Sequence, residues 1–404
     1  MFRPASAVSA RLMLNTLPPD FWRLWSVGLI ASVVRWVEMV AVGVVVYDRT
    51  GSAFTVALIT MLRMLPMGLF GAFVGTLADR FDRRRSLAAV TLLLALTSGV
   101  LAAIAAAGAL EVWHLAVASL INGIGWVIDI PVRRMLMGES VGRERMGQAM
   151  ALDIVASNAS RMVGPALGGF LLAGAGIEGA FGMGALMYVA AIIATLSIEA
   201  RIAPAAAAGA VLARTIESFR IALADRRIAA TLSVTVIFNL FGWPFTSMIP
   251  VIGRDQLGLG PEGVGILTSV DGVGACIGAL ALAWALTPRW HRAGYVGGVA
   301  LYLTALAAFA LSPAPLPAGL ALIVTGIGGA GFATLQTTIV YLAAPVELRS
   351  RMLGVLSVCI GTGPLGFLWL GWLADRIGAP EAVAVTGGLG LTALALTFPL
   401  WRRI

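Results

Sequence analysis

The chain has 404 residues, of which 59% are hydrophobic and only 12% charged, with a mean hydropathy of +0.93. A water-soluble fold cannot carry so apolar a composition at its surface, so soluble globular classes are excluded and a polytopic membrane protein is expected. The net charge of +8 comes from 28 basic residues, all of them arginine, against 20 acidic ones; no basic folded domain or aromatic platform is there to hold a nucleic acid, so the excess reads as a topology signal and an affinity for anionic lipid headgroups.

A helix needs ~20 mostly apolar residues to cross a hydrocarbon core of ~30 Å. Twelve stretches qualify, and little of the chain is left over. The first six run Phe21 to Tyr47, Phe54 to Ala78, Ser86 to Gly108, Val112 to Arg133, Met150 to Ala175 and Ala180 to Ser197. The second six run Ile228 to Val251, Glu262 to Leu286, Gly294 to Leu311, Leu316 to Ala344, Met352 to Ala374 and Glu381 to Leu400. Lipid cannot satisfy exposed backbone groups and the runs are continuous rather than alternating, so the spans are helices, not barrel strands. The first apolar segment is too long for a signal peptide and is read as the first span.

With the N-terminus placed inside, 20 arginines fall in the tail, the even-numbered loops and the C-terminus, three (Arg49, Arg254, Arg376) lie outside and five (Arg23, Arg35, Arg63, Arg133, Arg161) fall within spans. Positive charge collects on the cytoplasmic side, so both termini are expected there, in an inner (plasma) membrane of bacterial type. The longest connection, Arg201 to Arg227, holds an alanine-rich joint from Pro204 to Gly209. Leu212, Ile216, Phe219 and Leu223 then recur at helical spacing beside Arg214, Glu217 and Arg220, the pattern of an interfacial amphipathic helix.

The halves on either side of that connection match. Shifted by 203 positions, Gly75-Thr76-Leu77-Ala78 falls on Gly278-Ala279-Leu280-Ala281, and Gly123-Ile124-Gly125 on Gly326-Ile327-Gly328. Gly164-Pro165 answers Gly363-Pro364 at a slightly different offset. The expected fold is an all-α membrane protein of twelve transmembrane helices in two pseudo-symmetric six-helix bundles, residues 1–200 and 228–404, joined by a cytoplasmic linker at 201–227. Parallel repeats of this kind place a substrate cavity between the halves near the midplane.

Ionisable groups within spans are costly, at least ~2.5–3.5 kcal/mol each at a helix centre, and are functional candidates by default. In chain order they are Arg35 and Glu38 in span one, Arg63 in span two, Asp129 and Arg133 in the inner half of span four, Asp153 and Arg161 in span five, and Asp271 in span eight. Arg35 and Glu38 are three apart, on one helical face, and are expected to form a charge pair facing the central cavity. Asp271 is the most isolated in sequence. It is expected either to carry a proton or to form a salt bridge with Arg63 or Arg161; with Glu38 it is a proton-coupling candidate. Asp129, Arg133 and Asp153 are expected as cytoplasmic gate contacts. Trp36, Trp126, Asn239, Trp243 and Gln336 complete the candidate cavity; Asn239 corresponds to Trp36 under the 203-residue shift.

Cys276 and Cys359 both fall inside spans and read as buried, inert thiols. His114 at an outer boundary and His291 in a cytoplasmic loop make no metal site, and no cofactor is called for. There is no phosphate-cradling loop and no nucleophile with a base, so an enzyme is not expected.

The segment Gly75-Thr76-Leu77-Ala78-Asp79-Arg80-Phe81-Asp82-Arg83-Arg84-Arg85, between spans two and three, resembles the signature of the major facilitator superfamily at that loop, with Asp82 in place of the usual second glycine. Tyr47-Asp48-Arg49-Thr50-Gly51-Ser52, Gln148-Ala149-Met150-Ala151-Leu152 and Gly164-Pro165-Ala166-Leu167-Gly168-Gly169 are similar to patterns of its siderophore-exporter branch, and the resemblance covers nearly the whole chain. It implies that Gly75, Asp79, Arg80 and Arg83 form a conformational latch, with Asp79 facing the start of the eleventh helix near Arg351. The arginine that many proton-driven exporters carry in span four is replaced by Ser119, and Arg35 stands where the branch commonly has an acidic residue. A second copy, Gly371-Trp372-Leu373-Ala374-Asp375-Arg376-Ile377-Gly378, follows span eleven on the outer face and reads as a device for ending a helix.

The function expected is secondary active transport, as a monomer in contact with membrane lipids, with proton-coupled export of a small amphipathic organic molecule leading. Movement of a lysophospholipid between leaflets is the alternative; a non-transporting receptor is disfavoured for want of a soluble output domain.

Overall fold

The computed structural model describes residues 17–78, 82–142, 144–199, 211–285, 287–345 and 348–402. Among them every regular element is helical. The first half comprises α1 (Pro19–Thr50), α2 (Ala53–Ala78), α3 (Arg83–Ala106), α4 (Val112–Val141) and α5 (Met146–Leu196). The 51 residues of α5 would extend ~77 Å at ~1.5 Å per residue, far more than one crossing requires. It breaks at Gly176, where φ is 67° and ψ −176°, so α5 has two limbs that supply two spans. The eleven long apolar helical segments thereby account for twelve crossings.

The linker helix α6 (Val211–Ala224) leads into α7 (Arg226–Ile237), which continues through a π turn (Phe238–Gly242) and a tight turn (Trp243–Ser247) into α8 (Met248–Asp255). Pro244 and Pro250 remove backbone donors along this segment, so span seven is irregular where it lines the centre of the molecule. The rest is α9 (Pro261–Ala285), α10 (His291–Ala310), α11 (Pro315–Ala343), α12 (Arg349–Ile360), α13 (Gly363–Ile377), α14 (Ala379–Leu396) and α15 (Phe398–Trp401). In span eleven, α12 and α13 are separated at Gly361 and Thr362.

Helix starts follow local chemistry. Asp82 caps α3, accepting from Arg85 N at 2.8 Å, so the carboxylate that replaces the usual glycine starts the third span. Glu111 and His114 form a reciprocal capping box on α4, with the Glu111 backbone N–H donating to His114 Nδ1 at 2.9 Å. Asp225 caps α7. In α6, Phe219 packs against the core of the second half that contains Ile228, Val355 and Leu356, whereas Leu223, expected on the same apolar face, is 64% exposed. The joint at 201–210 lies outside the described residues.

Close backbone packing repeats between halves, giving two bundles. Gly168 meets the carbonyl of Val37 and Gly366 that of Leu240, two carbonyls 203 positions apart. The bundles join through two symmetric pairings, Gly272 on the Arg161 carbonyl and Gly68 on that of Gly361. A Cβ at these four glycines would come within 2.5–2.9 Å of carbonyl oxygen, so each contact requires hydrogen at that position.

The two ends of the molecule differ. At the end carrying the short hairpins, one apolar core contains residues of both bundles, among them Val46, Val56, Met248, Ile249 and Leu370. At the end carrying the linker, Phe21, Leu87 and Met137 form one core and Ile228, Met352 and Leu356 another, each within its own bundle. The halves are thus joined at the hairpin face and separately packed at the linker face.

Candidate functional site: a cavity between the bundles

A cavity of about 330 Å³ lies between the halves. Of the residues singled out from sequence, Arg35, Trp36, Arg63, Trp126, Asn239, Trp243, Asp271 and Gln336 line it together. The first bundle contributes the guanidiniums; the second contributes an aromatic wall in which Phe238 stacks on Phe332 at 3.7 Å between centroids and Trp243 meets Phe367 edge-on at 6.3 Å. Phe238, Phe332, Phe367 and Tyr302 were not legible as cavity residues, because an aromatic in an apolar span carries no signal of the face it occupies.

Arg161 on the first limb of α5 and Asp271 on α9 form a salt bridge across the two bundles, with Arg161 Nη2 donating to Asp271 Oδ2. The Arg161 guanidinium also lies 5.9 Å from the Trp36 ring centroid. Asp271 is therefore paired, not isolated, and its second oxygen, Oδ1, has no hydrogen-bond partner among the described residues. The same is true of Gln336 Oε1 on the opposite wall. Asn239 is engaged with its own helix, donating to Thr235 O at 2.9 Å.

Arg35 and Glu38 do not pair, and Glu38 is not on the cavity. Residues three apart on a helix differ by ~60° in direction, and here each side chain follows a different neighbour. Arg35 leans onto the Trp126 ring, 4.7 Å from its centroid, with Asp129 Oδ2 3.9 Å away. Glu38 turns into the first bundle, where Gly184 leaves it room and Ser98 Oγ donates to Oε1 at 2.5 Å. It is 1% exposed. Arg63 is the strongest cation acting on it, and Arg63 Nη2 reaches Asn122 Oδ1 at 3.4 Å. A guanidinium therefore stands beside Asn122 although Ser119 carries none; it arrives from α2.

Asp129, Arg133 and Asp153 were expected at a gate. They form a network within one bundle: Arg133 contacts Asp129 at 3.6 Å and Asp153 at 2.5 Å, and Arg134 holds the other Asp153 oxygen at 2.8 Å. Gly28 makes space for it, since a Cβ there would fall 2.2 Å from Arg133 Nη1. Among the described residues the network ties α1, α4 and α5, not one bundle to the other.

For the latch, Asp79 and Arg80 lie outside the described residues, and Gly75 falls in the last turns of α2. Arg83 pairs with Glu139 on α4. Arg351 binds the linker helix, at 2.6 Å from Glu217 Oε2 and 3.0 Å from Ser218 Oγ. The hairpin face shows what sequence reading missed. Asp48 and Arg254 make a two-pronged ion pair between bundles at 2.8 and 3.0 Å. Asp375 accepts from Ser52 Oγ at 2.8 Å and from Phe54 N at 3.0 Å, so it caps the start of α2 from the other bundle. The second motif copy does end a helix, at Gly378 with φ 95°, but it also binds across the interface, with Gly371 against Phe54 and Ala57. Its acidic residue at the signature's spacing was the available signal.

A family profile described as transmembrane secretion effector matches residues 17–402. The chain belongs to that family, and it is a multi-pass membrane transporter of the major facilitator type. It is 20% identical to macrolide efflux protein A of Streptococcus pyogenes over 96% of this chain and 98% of that protein. To the enterobactin exporter EntS of Salmonella typhimurium it is 26% identical (95% and 92% covered), and to the staphyloferrin A transporter of Staphylococcus aureus 22% identical (90% and 91% covered). A bacterial homologue of the human lysosomal transporter Spinster, in an inward-facing unoccupied conformation, has the same fold, with a TM-score of 0.73 at 16% identity over 95% of this chain and 97% of that one.

Proposed function

We propose that the protein is a proton-coupled exporter of a small amphipathic organic molecule, working by alternating access about the cavity between its bundles. The observation that carries this reading is the Arg161–Asp271 salt bridge, which joins the two bundles inside the cavity itself. Protonating Asp271 removes the charge that holds Arg161, so one event both loads a proton and loosens an inter-bundle tie. Among the described residues, Tyr302 and Cys276 are the further titratable groups whose charge bears on Arg161. Export is supported by the relatives named as a macrolide efflux protein and an enterobactin exporter.

The arginine distribution supports cytoplasmic termini, and with that orientation the joined hairpin face is the outer one and the conformation is inward-facing. Asp48–Arg254 and the Asp375 cap on α2 then hold the outer side shut. Opposite them, the loop bearing Asp79 is proposed to hold the inner side shut in the alternate state. Residues 1–200 and 228–404 are proposed as the bodies that rock, with 201–227 as the joint, in a protein that works as a monomer.

Transport into proteoliposomes under an imposed pH gradient, screened over a substrate panel, tests this reading. Accumulation above equilibrium that collapses with a protonophore is expected. Accumulation unaffected by collapsing the gradient would remove the proton from the mechanism.

A further inference from the structure

We infer that Arg35, stacked on Trp126, anchors a carboxylate of the substrate, so that the cavity selects amphipathic anions with an apolar or aromatic body. This rests on the transport reading above and narrows it. The inference begins with the pairing of the membrane-embedded charges. Asp271 belongs to Arg161. Asp153 is held by Arg133 and Arg134 at 2.5 and 2.8 Å. Asp129 is closer to Arg133, at 3.6 Å, than to Arg35, at 3.9 Å. Glu38 is turned away from the cavity onto Ser98, at 2.5 Å. Arg35 is held only loosely: Nη2 lies 3.9 Å from Asp129 Oδ2, on a carboxylate whose other oxygen faces Arg133, and among the described residues none of its N–H groups makes a hydrogen bond.

Position and chemistry then define what it would bind. The Arg35 side chain is 16% exposed and lines the cavity. Trp126 lies against the guanidinium, 4.7 Å from its ring centroid, and N–H donors that make no hydrogen bond among the described residues remain for a planar acceptor. A carboxylate matches that fork with two parallel hydrogen bonds. The body of such a ligand would meet Phe238, Phe332, Phe367 and Trp243 on the facing bundle. A cationic ligand at the same place would meet Arg35 as a like charge, an unfavourable juxtaposition, while Arg161 is already matched by Asp271. The volume of about 330 Å³ is near the lower end of the ~300–1,000 Å³ typical of small-molecule sites, which favours compact ligands.

Three isosteric probes separate the possibilities: 2-naphthoate, 2-naphthamide and 2-naphthylmethylammonium. Binding to the purified protein in phosphatidylcholine nanodiscs, followed by calorimetry, is expected to favour the naphthoate over both others by roughly tenfold or more. Arg35→Gln should erase that preference, and Arg35→Lys should restore part of it, because the charge returns without the fork. The wild-type ranking tests the inference even where a variant folds poorly. Equal or tighter binding of the ammonium probe, no measurable binding of the naphthoate, or an unchanged ranking in folded Arg35→Gln would overturn it. Loss of naphthoate binding on adding phosphatidylglycerol would identify a lipid headgroup as the occupant and equally overturn it. Transport of the same probes in proteoliposomes keeps the two readings apart. An ammonium probe that is carried while the naphthoate is not leaves the transporter reading standing and removes the anion; a naphthoate that binds while no probe is carried does the reverse.

Discussion

In the first bundle Gly123 lies against the carbonyl of Arg63; in the second Gly326 lies against that of Asp271, and a Cβ at either would come within 2.2 and 2.1 Å of oxygen. The two glycines are 203 positions apart, so this helix contact is repeated in both halves. The charges are not repeated. Arg35, Glu38, Arg63, Asp129, Arg133, Asp153 and Arg161 are all embedded in the first bundle, whereas the second contributes Asp271 beside an aromatic wall. Steric contacts that set helix spacing tolerate little change, because backbone atoms cannot give way. Side chains facing a cavity are freer to diverge, and here one bundle holds the polar chemistry while the other supplies apolar surface and a single carboxylate that reaches across.

The largest effect should come from breaking the charge balance of the first bundle. Glu38→Leu removes the acceptor of Ser98 and the carboxylate whose charge bears on buried Arg63, a loss of at most the ~3–5 kcal/mol seen for contacting buried pairs in soluble proteins. The double change Glu38→Leu with Arg63→Leu should recover most of it, read as the thermal unfolding midpoint in detergent. Equal destabilisation by the single and double variants would mean that Glu38 is held by Ser98 alone.

How much of this was readable beforehand follows from the same contrast. Apolar run length and arginine placement, both local in sequence, sufficed for the spans, and the Gly123 and Gly326 repeat was visible as an offset. The partner of each charge was not, because it depends on how each helix is rotated and which neighbour it faces. Arg35 and Glu38 share a face of α1 and yet part company, one to Trp126 and the other to Ser98, residues more than fifty positions away. Asp271 looked solitary because Arg161 is 110 positions distant and in the other bundle. Asp375 looked like punctuation because its acceptor role depends on α2 arriving beside it.

Steric equivalence of the halves predicts similar penalties for Gly123→Ala and Gly326→Ala. Each should lower stability by ~1–3 kcal/mol through overpacking against backbone, while Gly297→Ala, with nothing within 4 Å of the added carbon, should be near neutral. A cost at one of the paired positions and none at the other would break the equivalence. Smaller still is the cap across the hairpin face: Asp375→Asn should weaken it by ~1 kcal/mol and Ser52→Ala by less, seen as increased labelling of a cysteine placed at position 55 from that side. Unchanged labelling would reduce Asp375 to a helix-ending residue.

The proposed division of labour rests most heavily on Asp271, the carboxylate by which the second bundle meets the charged first bundle inside the cavity. Asp271→Asn in proteoliposomes, assayed both for accumulation driven by a pH gradient and for gradient-free exchange, tests it most directly. The account predicts that gradient-driven accumulation is lost while exchange persists, since the variant still binds substrate and still rocks but no longer carries the proton. Full gradient-driven accumulation by a folded Asp271→Asn protein would contradict it.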